Sequence, residues 1–243
     1  MSNLALIKKR TIPIDPSSFL RAFENTISVK RGVPFNINTQ QDVPEILQLL
    51  LDELKGSSPT AEEIFSSSCI TTTTCDTCFS YSSNEDKYEI ISLPLNESIS
   101  SSLQSFLKPK YLKDDNKWFC DMCNMHQVGV RDCKFVKCGS IVIFQMNRYS
   151  NVNGIISKDN RKIKCLSSHL SIPLYIDEQR SVNKKFTLKA TINHSGTIDA
   201  GHYWAFLKTS DGNWLKCNDT SVDKATFKDL SNNWSYLFIY SDN

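Results

Sequence analysis

Gly201-His202-Tyr203-Trp204-Ala205 opens one strand and Trp214-Leu215-Lys216-Cys217-Asn218-Asp219 closes the next, with Ser210-Asp211-Gly212-Asn213 between them as a hairpin turn. The pairing of chemistries matters as much as the strands. In a thiol hydrolase a His takes the proton from Cys, and a nearby Asn or Asp bonds the other ring nitrogen and fixes its tautomer. With Asp211-Gly212 at the centre of the turn, Asn218 falls opposite Ala205, about 10 Å along the strand from His202, so contact calls for a bulge or an offset. Taken alone, a His beside a Gly at the head of an aromatic strand also reads as structural.

Working outward, Ile90–Leu95, Ser140–Met146, Phe186–Ile192, Tyr203–Lys208, Trp214–Cys217 and Tyr236–Tyr240 read as further short strands. The chain before Cys75 reads differently. Asp15-Pro16 supplies a cap and a pre-set first turn for a helix whose apolar residues are Phe19, Leu20, Phe23 and Ile27. Asp42-Val43-Pro44-Glu45 has capping-box spacing, and Val43, Ile46, Leu47, Leu50 and Leu54 make one face before Gly56. The Ser/Thr-rich stretch from Ser57 to Thr74 reads as an exposed loop or edge strand. Helices first and strands afterwards give an α+β fold.

Cys75-Asp76-Thr77-Cys78 and Cys120-Asp121-Met122-Cys123 are two Cys-x-x-Cys knuckles. Each can turn two thiolates toward one ion, and together they complete the closed tetrahedral set of a structural zinc site, which does not activate water. A pair of redox motifs and a pair of accidental turns are the alternatives, and His126 is an alternative ligand. Cys69, Cys133, Cys138, Cys165 and Cys217 read by default as buried small hydrophobes.

Composition narrows the function classes. The 243 residues carry 28 Lys+Arg against 26 Asp+Glu, for a formal charge of +2, which offers no field for nucleic acid or an anionic membrane. With 40% apolar residues the chain can bury one large core or two small ones. It has no spanning segment, and Met1–Ile7 lacks the apolar stretch of a signal peptide, so the cytosol or nucleus is the expected compartment and disulfides are not expected.

In order and spacing these segments resemble the ubiquitin-specific protease family of deubiquitinating cysteine proteases, from about residue 10 to the C-terminus. Gln40-Gln41-Asp42-Val43-Pro44-Glu45-Ile46-Leu47 resembles the family's Gln-Gln-Asp-Ala-x-Glu-Phe helix. The paired knuckles resemble its zinc-bearing fingers, and Met146-Asn147-Arg148-Tyr149 its strand ending in Leu-Lys-Arg-Phe. Asp199–Ala205 and Trp214–Val222 resemble its His box. The resemblance implies a papain-like fold: a partial helical thumb over 1–60, zinc fingers over 61–140 and a palm sheet with the His box over 141–243. It further implies His202 as general base, Asn218 as its orienting partner, and Asp219 as a residue that shares that role or polarises the attacked carbonyl. Asp42, Glu45, Gly201 and Tyr203 would line the groove for the ubiquitin tail, with Gly201 leaving room for its backbone. The implied cofactor is structural zinc on Cys75, Cys78, Cys120 and Cys123, and the implied partners are ubiquitin or a ubiquitin-like modifier and its conjugates.

One departure bears on the chemistry. The family's Asn-x-Gly-Asn-Thr-Cys segment, which supplies the nucleophile, has no counterpart here, and the first cysteine is Cys69. Without a thiolate beside His202 there is no acyl-enzyme. Another cysteine in place of the missing one is a third idea, but Cys217, near His202 in sequence, sits in the wrong element; the two main explanations are that the nucleophile belongs to a longer polypeptide or that the chain is an inactive ubiquitin reader. In either case a partner or an upstream segment is expected over the missing front of the thumb.

Overall fold

The computed structural model describes residues 15–36, 39–164, 166–197 and 200–242, so Asp199 and Cys165 lie outside the described residues. Its contacts divide the chain into two units, 1–49 and 50–243.

The first unit holds α1 (Ser17–Arg31) and the start of α2 (Val43–Ser57). Asp15 accepts from the Ser17 backbone N–H at 2.9 Å, which ties down the first turn of α1, and Gly32 ends the helix in the left-handed region at φ 67°. Phe23 and Ile27 are buried, and Phe23 meets Phe35 edge to face at 6.1 Å, whereas Phe19 of the same expected stripe is 54% exposed. At the start of α2 the Ile46 N–H donates to the Asp42 carbonyl at 3.1 Å.

The second unit adds, in chain order, α3 (Pro59–Phe65), β1 (Ser67–Cys75), β2 (Tyr81–Tyr88), β3 (Ile90–Pro94), α4 (Ile99–Leu107), β4 (Lys110–Leu112), β5 (Trp118–Cys120), β6 (Met125–Gln127), β7 (Gly129–Lys137) and β8 (Ile141–Asn147). There follow β9 (Tyr149–Val152), β10 (Ile155–Lys158), β11 (His169–Asp177), β12 (Arg180–Gly196), β13 (Gly201–Lys208), β14 (Trp214–Asn218), β15 (Ser221–Ala225) and β16 (Ser235–Ser241). Twelve strands form one sheet whose main path runs β15-β14-β13-β12-β11-β7-β1-β2, with β16 joining β12 to β8 and β3 lying parallel to β8. The architecture is α+β. β12 is its spine: residues 180–187 pair with β11, and 190–196 pair with β13. Phe135, Phe144, Phe186, Phe238 and Tyr240 fill the core, with Ile99 and Leu103 of α4 packed into it.

The stretch from Ser57 to Thr74 is neither loop nor edge. It forms most of α3 and β1, and β1 is paired on both sides, by β2 and by β7. Its polar composition is accommodated because the β-branched threonines suit the pleat and their hydroxyls find cross-strand partners, Thr71 with Asp86 and Thr72 with Ser83, both at 3.1 Å. The default for the cysteines also needs correction, since Cys133 and Cys217 are only half-buried while Cys69 and Cys138 are buried.

Arg148, at the end of β8, is 1% exposed and stitches three segments together. Its Nε donates to the Ser235 carbonyl at 2.8 Å, and its Nη1 donates to those of Asp159 (2.8 Å) and Arg161 (3.0 Å). Burial pushes its pKa down, so the cation is held at a cost that these carbonyls offset. Arg148→Met, which deletes these charged donors and leaves three acceptors short of partners, is expected to destabilise the unit by about 3 kcal/mol or more, read as a lower denaturant midpoint.

Candidate functional site

β13 and β14 are joined by a five-residue loop that Thr209 closes by donating to the Asn213 carbonyl at 2.8 Å. The resulting register sets Ala205 opposite Cys217 and Leu207 opposite Leu215. Carried one residue further, it places Asn218 across from Trp204, one position off the register expected from an Asp211-Gly212 centre. That single step removes the need for a bulge. His202 lies two residues before Trp204 and so shares its face, which makes His202 and Asn218 diagonal cross-strand neighbours within side-chain reach. The His202 Nε2 lies 2.5 Å from Asn218 Oδ1, and the indole of Trp204 stacks on the imidazole at 6.0 Å between centroids and 22° between planes.

This geometry fixes a proton. An amide oxygen only accepts, so Nε2 carries the hydrogen and the lone pair of the neutral ring is on Nδ1. His202 is exposed and Asn218 half-buried, so Nδ1 can meet an incoming group. Asp219 stands in the β14–β15 turn at φ 50°, exposed, and among the described residues it makes no hydrogen bond to the ring.

The opposite face of the same strands is occupied by a second histidine. Ser195 pairs with His202 and His194 with Tyr203, so His194 and Tyr203 point away from the His202 face and stack on each other at 4.4 Å. His194 is 4% exposed, and its Nδ1 lies 3.0 Å from both Tyr149 Oη and Lys158 Nζ. A Cβ on Gly201 would collide with the His194 ring and with the Ser195 carbonyl, so the fold itself demands glycine there. In the first unit, Glu45 pairs with Arg31 at 2.5 Å, and Asp42 sits just before α2.

The four knuckle cysteines converge: the Sγ atoms of Cys75, Cys78, Cys120 and Cys123 all lie within 4.8 Å of one another, with Cys78 and Cys120 at 3.5 Å and Cys75 and Cys123 at 4.0 Å. A tetrahedral ion with metal–sulfur bonds of about 2.3 Å needs sulfur–sulfur edges of about 3.8 Å. The cluster can therefore hold a metal ion. The backbone is shaped for it, because the residue after each knuckle, Phe79 (φ 60°) and Asn124 (φ 51°), adopts the left-handed conformation that returns the chain toward the sulfurs. The Ser80 hydroxyl lies 3.0 Å from Cys78 Sγ and 3.2 Å from Cys120 Sγ. Hydrogen bonds from Ser80 pull the Cys78 thiol down to about 6 and lower that of Cys120, whereas hydrogen bonding to the Cys78 sulfur pushes Cys123 up to about 12. His126 is not in the cluster; its Nδ1 lies 3.2 Å from the Lys117 carbonyl and its ring packs on Phe119. Ser80→Ala is expected to weaken metal binding by about 10- to 100-fold in a chelator competition, through loss of this outer hydroxyl.

Sequence reasoning missed Ser80, Trp204 as the ring beneath His202, and Lys158. Only Trp204 carried a signal, as the aromatic two residues after the histidine. Among the described residues no helix is long and apolar enough to cross a membrane.

A family model described as ubiquitin carboxyl-terminal hydrolase matches residues 1–240. Similar curated proteins include ubiquitin carboxyl-terminal hydrolase 51 of Mus musculus, 28% identical over 83% of this chain and 38% of its own length. Ubiquitin carboxyl-terminal hydrolase 8 of Saccharomyces cerevisiae is 26% identical over 84% of this chain and 50% of its own. This chain thus spans half or less of the length of these relatives. Among solved structures, the SAGA Ubp8/Sgf11/Sus1/Sgf73 DUB module bound to ubiquitin aldehyde superimposes with a TM-score of 0.77 at 22% identity, over 93% of this chain and 54% of that one. That likeness shows the fold, the papain-like architecture of ubiquitin-specific proteases.

Proposed function

The chain belongs to the ubiquitin carboxyl-terminal hydrolase family, and from that premise we propose that it carries the base and orienting half of a thiol-dependent hydrolase that cuts (iso)peptide bonds at the C-terminus of ubiquitin. The observation that carries the reading is the 2.5 Å contact of His202 Nε2 with Asn218 Oδ1, which leaves the basic lone pair on Nδ1. In this reading a thiol placed at Nδ1 loses its proton to the ring, and the thiolate attacks the terminal carbonyl of ubiquitin. The imidazolium then protonates the departing amine, and in the second half the ring takes a proton from the water that hydrolyses the thioester. Among the described residues no cysteine sulfur is hydrogen-bonded to His202. The reading therefore draws the nucleophile from a Cys-bearing segment of the Asn-x-Gly-Asn-Thr-Cys kind, outside these 243 residues.

The remaining assignments support one substrate. Asp42 and Glu45, at the start of α2, would face arginines near the ubiquitin C-terminus through charge-assisted bonds, with Arg31 giving up Glu45 on binding. The four cysteines would hold a structural zinc that braces a fingers subdomain against ubiquitin. Ubiquitin bearing a C-terminal thiol-reactive group, read by intact mass, tests the reading. The chain alone should give no His202-dependent adduct, and the chain joined to a Cys-bearing segment should give one that His202→Ala abolishes. Ubiquitin binding without any adduct in the joined protein would instead favour a catalytically silent ubiquitin reader.

A further inference from the structure

The hydrolase reading uses His202 and leaves the buried His194, on the other face of the same strands, unexplained. Both chain neighbours of His202 rest on the His194 ring: Tyr203 stacks on it at 4.4 Å, and Gly201 approaches so closely that a Cβ there would overlap Nε2. The orientation of that ring therefore sets the backbone on either side of His202, which is the exposed second residue of β13. The first residues of a strand are where local opening costs least unless something holds them.

What fixes the ring comes from outside the main sheet. β9 and β10 form a separate two-stranded hairpin, and Tyr149 and Lys158 stand opposite each other at its open end, so their side chains share a face and converge on His194. The Lys158 ammonium has three donors and finds three acceptors: the His194 carbonyl at 2.8 Å, His194 Nδ1 at 3.0 Å and the Gly196 carbonyl at 3.2 Å. The Tyr149 hydroxyl reaches the same Nδ1 at 3.0 Å. An ammonium only donates, so Nδ1 is an acceptor and the neutral ring carries its hydrogen on Nε2, the atom turned toward Gly201. Burial and then the nearby Arg148 push the pKa of Lys158 down, and among the described residues it has no carboxylate partner, so these neutral acceptors are what hold the cation in place. The family strand that β8 resembles ends in Phe at the position of Tyr149, so the hydroxyl is an addition of this chain.

We propose that Lys158 and Tyr149 are positioning residues for His202: by fixing the His194 ring they hold Gly201 and Tyr203, and with them the His202 imidazole against Asn218. The inference rests on the reading of His202 as the base, although every contact it uses lies on the opposite face of the sheet. Lys158 acts twice. Besides the ring it grips the carbonyls of His194 and Gly196, the two β12 residues that pair with Tyr203 and Gly201 and that bracket Ser195, the partner of His202. Tyr149 acts on β12 only through Nδ1. Without these donors the ring is free to turn, and the first residues of β13 lose the surface that seats them.

The test follows the His202 ring nitrogens and backbone hydrogen exchange by nuclear magnetic resonance in the full chain, with zinc supplied, for the unaltered protein and for Lys158→Met and Tyr149→Phe. In the unaltered protein the neutral His202 ring should carry its hydrogen on Nε2. Lys158→Met should move the two ring-nitrogen shifts toward those of a tautomer mixture and speed exchange of the protected amides among residues 201–204 by about tenfold or more, as loss of a hydrogen bond from a charged group implies. Tyr149→Phe, the milder change, should act in the same direction by about threefold, and should have no effect in a His194→Phe background, where the nitrogen it reaches is gone. Amides around Phe144 and Phe238 should keep their rates within about twofold, which shows that the variants fold. A His202 ring left unchanged by both substitutions would overturn the proposal and leave His202 as the base. Loss of protection throughout the sheet in both would also overturn it, by making the two residues structural and nothing more. A hydrogen on Nδ1 of His202 in the unaltered protein would instead remove the reading on which the proposal rests.

Discussion

On the proposed reading, His202→Ala in the chain joined to a Cys-bearing segment is expected to lower turnover of a ubiquitin C-terminal amide by about 10⁴-fold or more, because base and proton donor are lost together. Asn218→Ala should cost less, about 10²- to 10⁴-fold, since the ring remains but its tautomer is no longer fixed. The two losses should not add in the double variant. In that reading Asn218 acts through the ring, by the 2.5 Å bond to Nε2, and has nothing left to orient once the imidazole is gone. Steady-state kinetics of the three variants check this. Additive losses would mean that Asn218 acts on the substrate and not on His202.

Cys120→Ser is the second large effect. β5 and β6 have three residues each, form a ribbon separate from the main sheet, and leave Phe119, Met122 and Met125 exposed, so they have no apolar core of their own. Metal binding in small zinc domains supplies of the order of 10–16 kcal/mol, and here it would be the main force holding this ribbon to the knuckle after β1. The unaltered chain is expected to carry about one zinc, and the variant to lose it together with the hydrogen-exchange protection of residues 118–128. The strands around Phe144, Phe186 and Phe238 should stay protected, because their packing does not involve the cysteine cluster. A metal-free protein that keeps its protection at 118–128 would show that the cluster is not a structural metal site.

Much of the α+β order was legible because strong local signals marked it: the helical spacing of Phe23 and Ile27, the knuckle spacing, and the turn residues near Asp211-Gly212. What stayed illegible depends on partners distant in sequence. β1 looked like a loop because six of its nine residues are Ser or Thr, and only β2 and β7 on either side show where those hydroxyls go. The His202–Asn218 contact could be guessed as a pair but not placed. A loop closed by Thr209 on Asn213 shifts the register by one residue, and in a strand one residue exchanges the faces. Gly201 was read as room for a substrate, whereas the His194 ring alone already requires it. One clear signal lies outside the strand reading: Asn153-Gly154, at φ 52° and 83°, is the tight turn between β9 and β10, and the flanking Val152 and Ile155 mark it as a hairpin.

The most direct measurement is a nuclear magnetic resonance titration of isotopically labelled chain with ubiquitin, observing the ring nitrogens of His202. The neutral form of the ring in the free chain should be the tautomer with its hydrogen on Nε2, and the His202 and Gly201 signals should shift saturably as ubiquitin is added. A ring protonated on Nδ1, or saturable ubiquitin binding that leaves both residues unmoved, would contradict the assignment of His202 as the base beside the ubiquitin C-terminus.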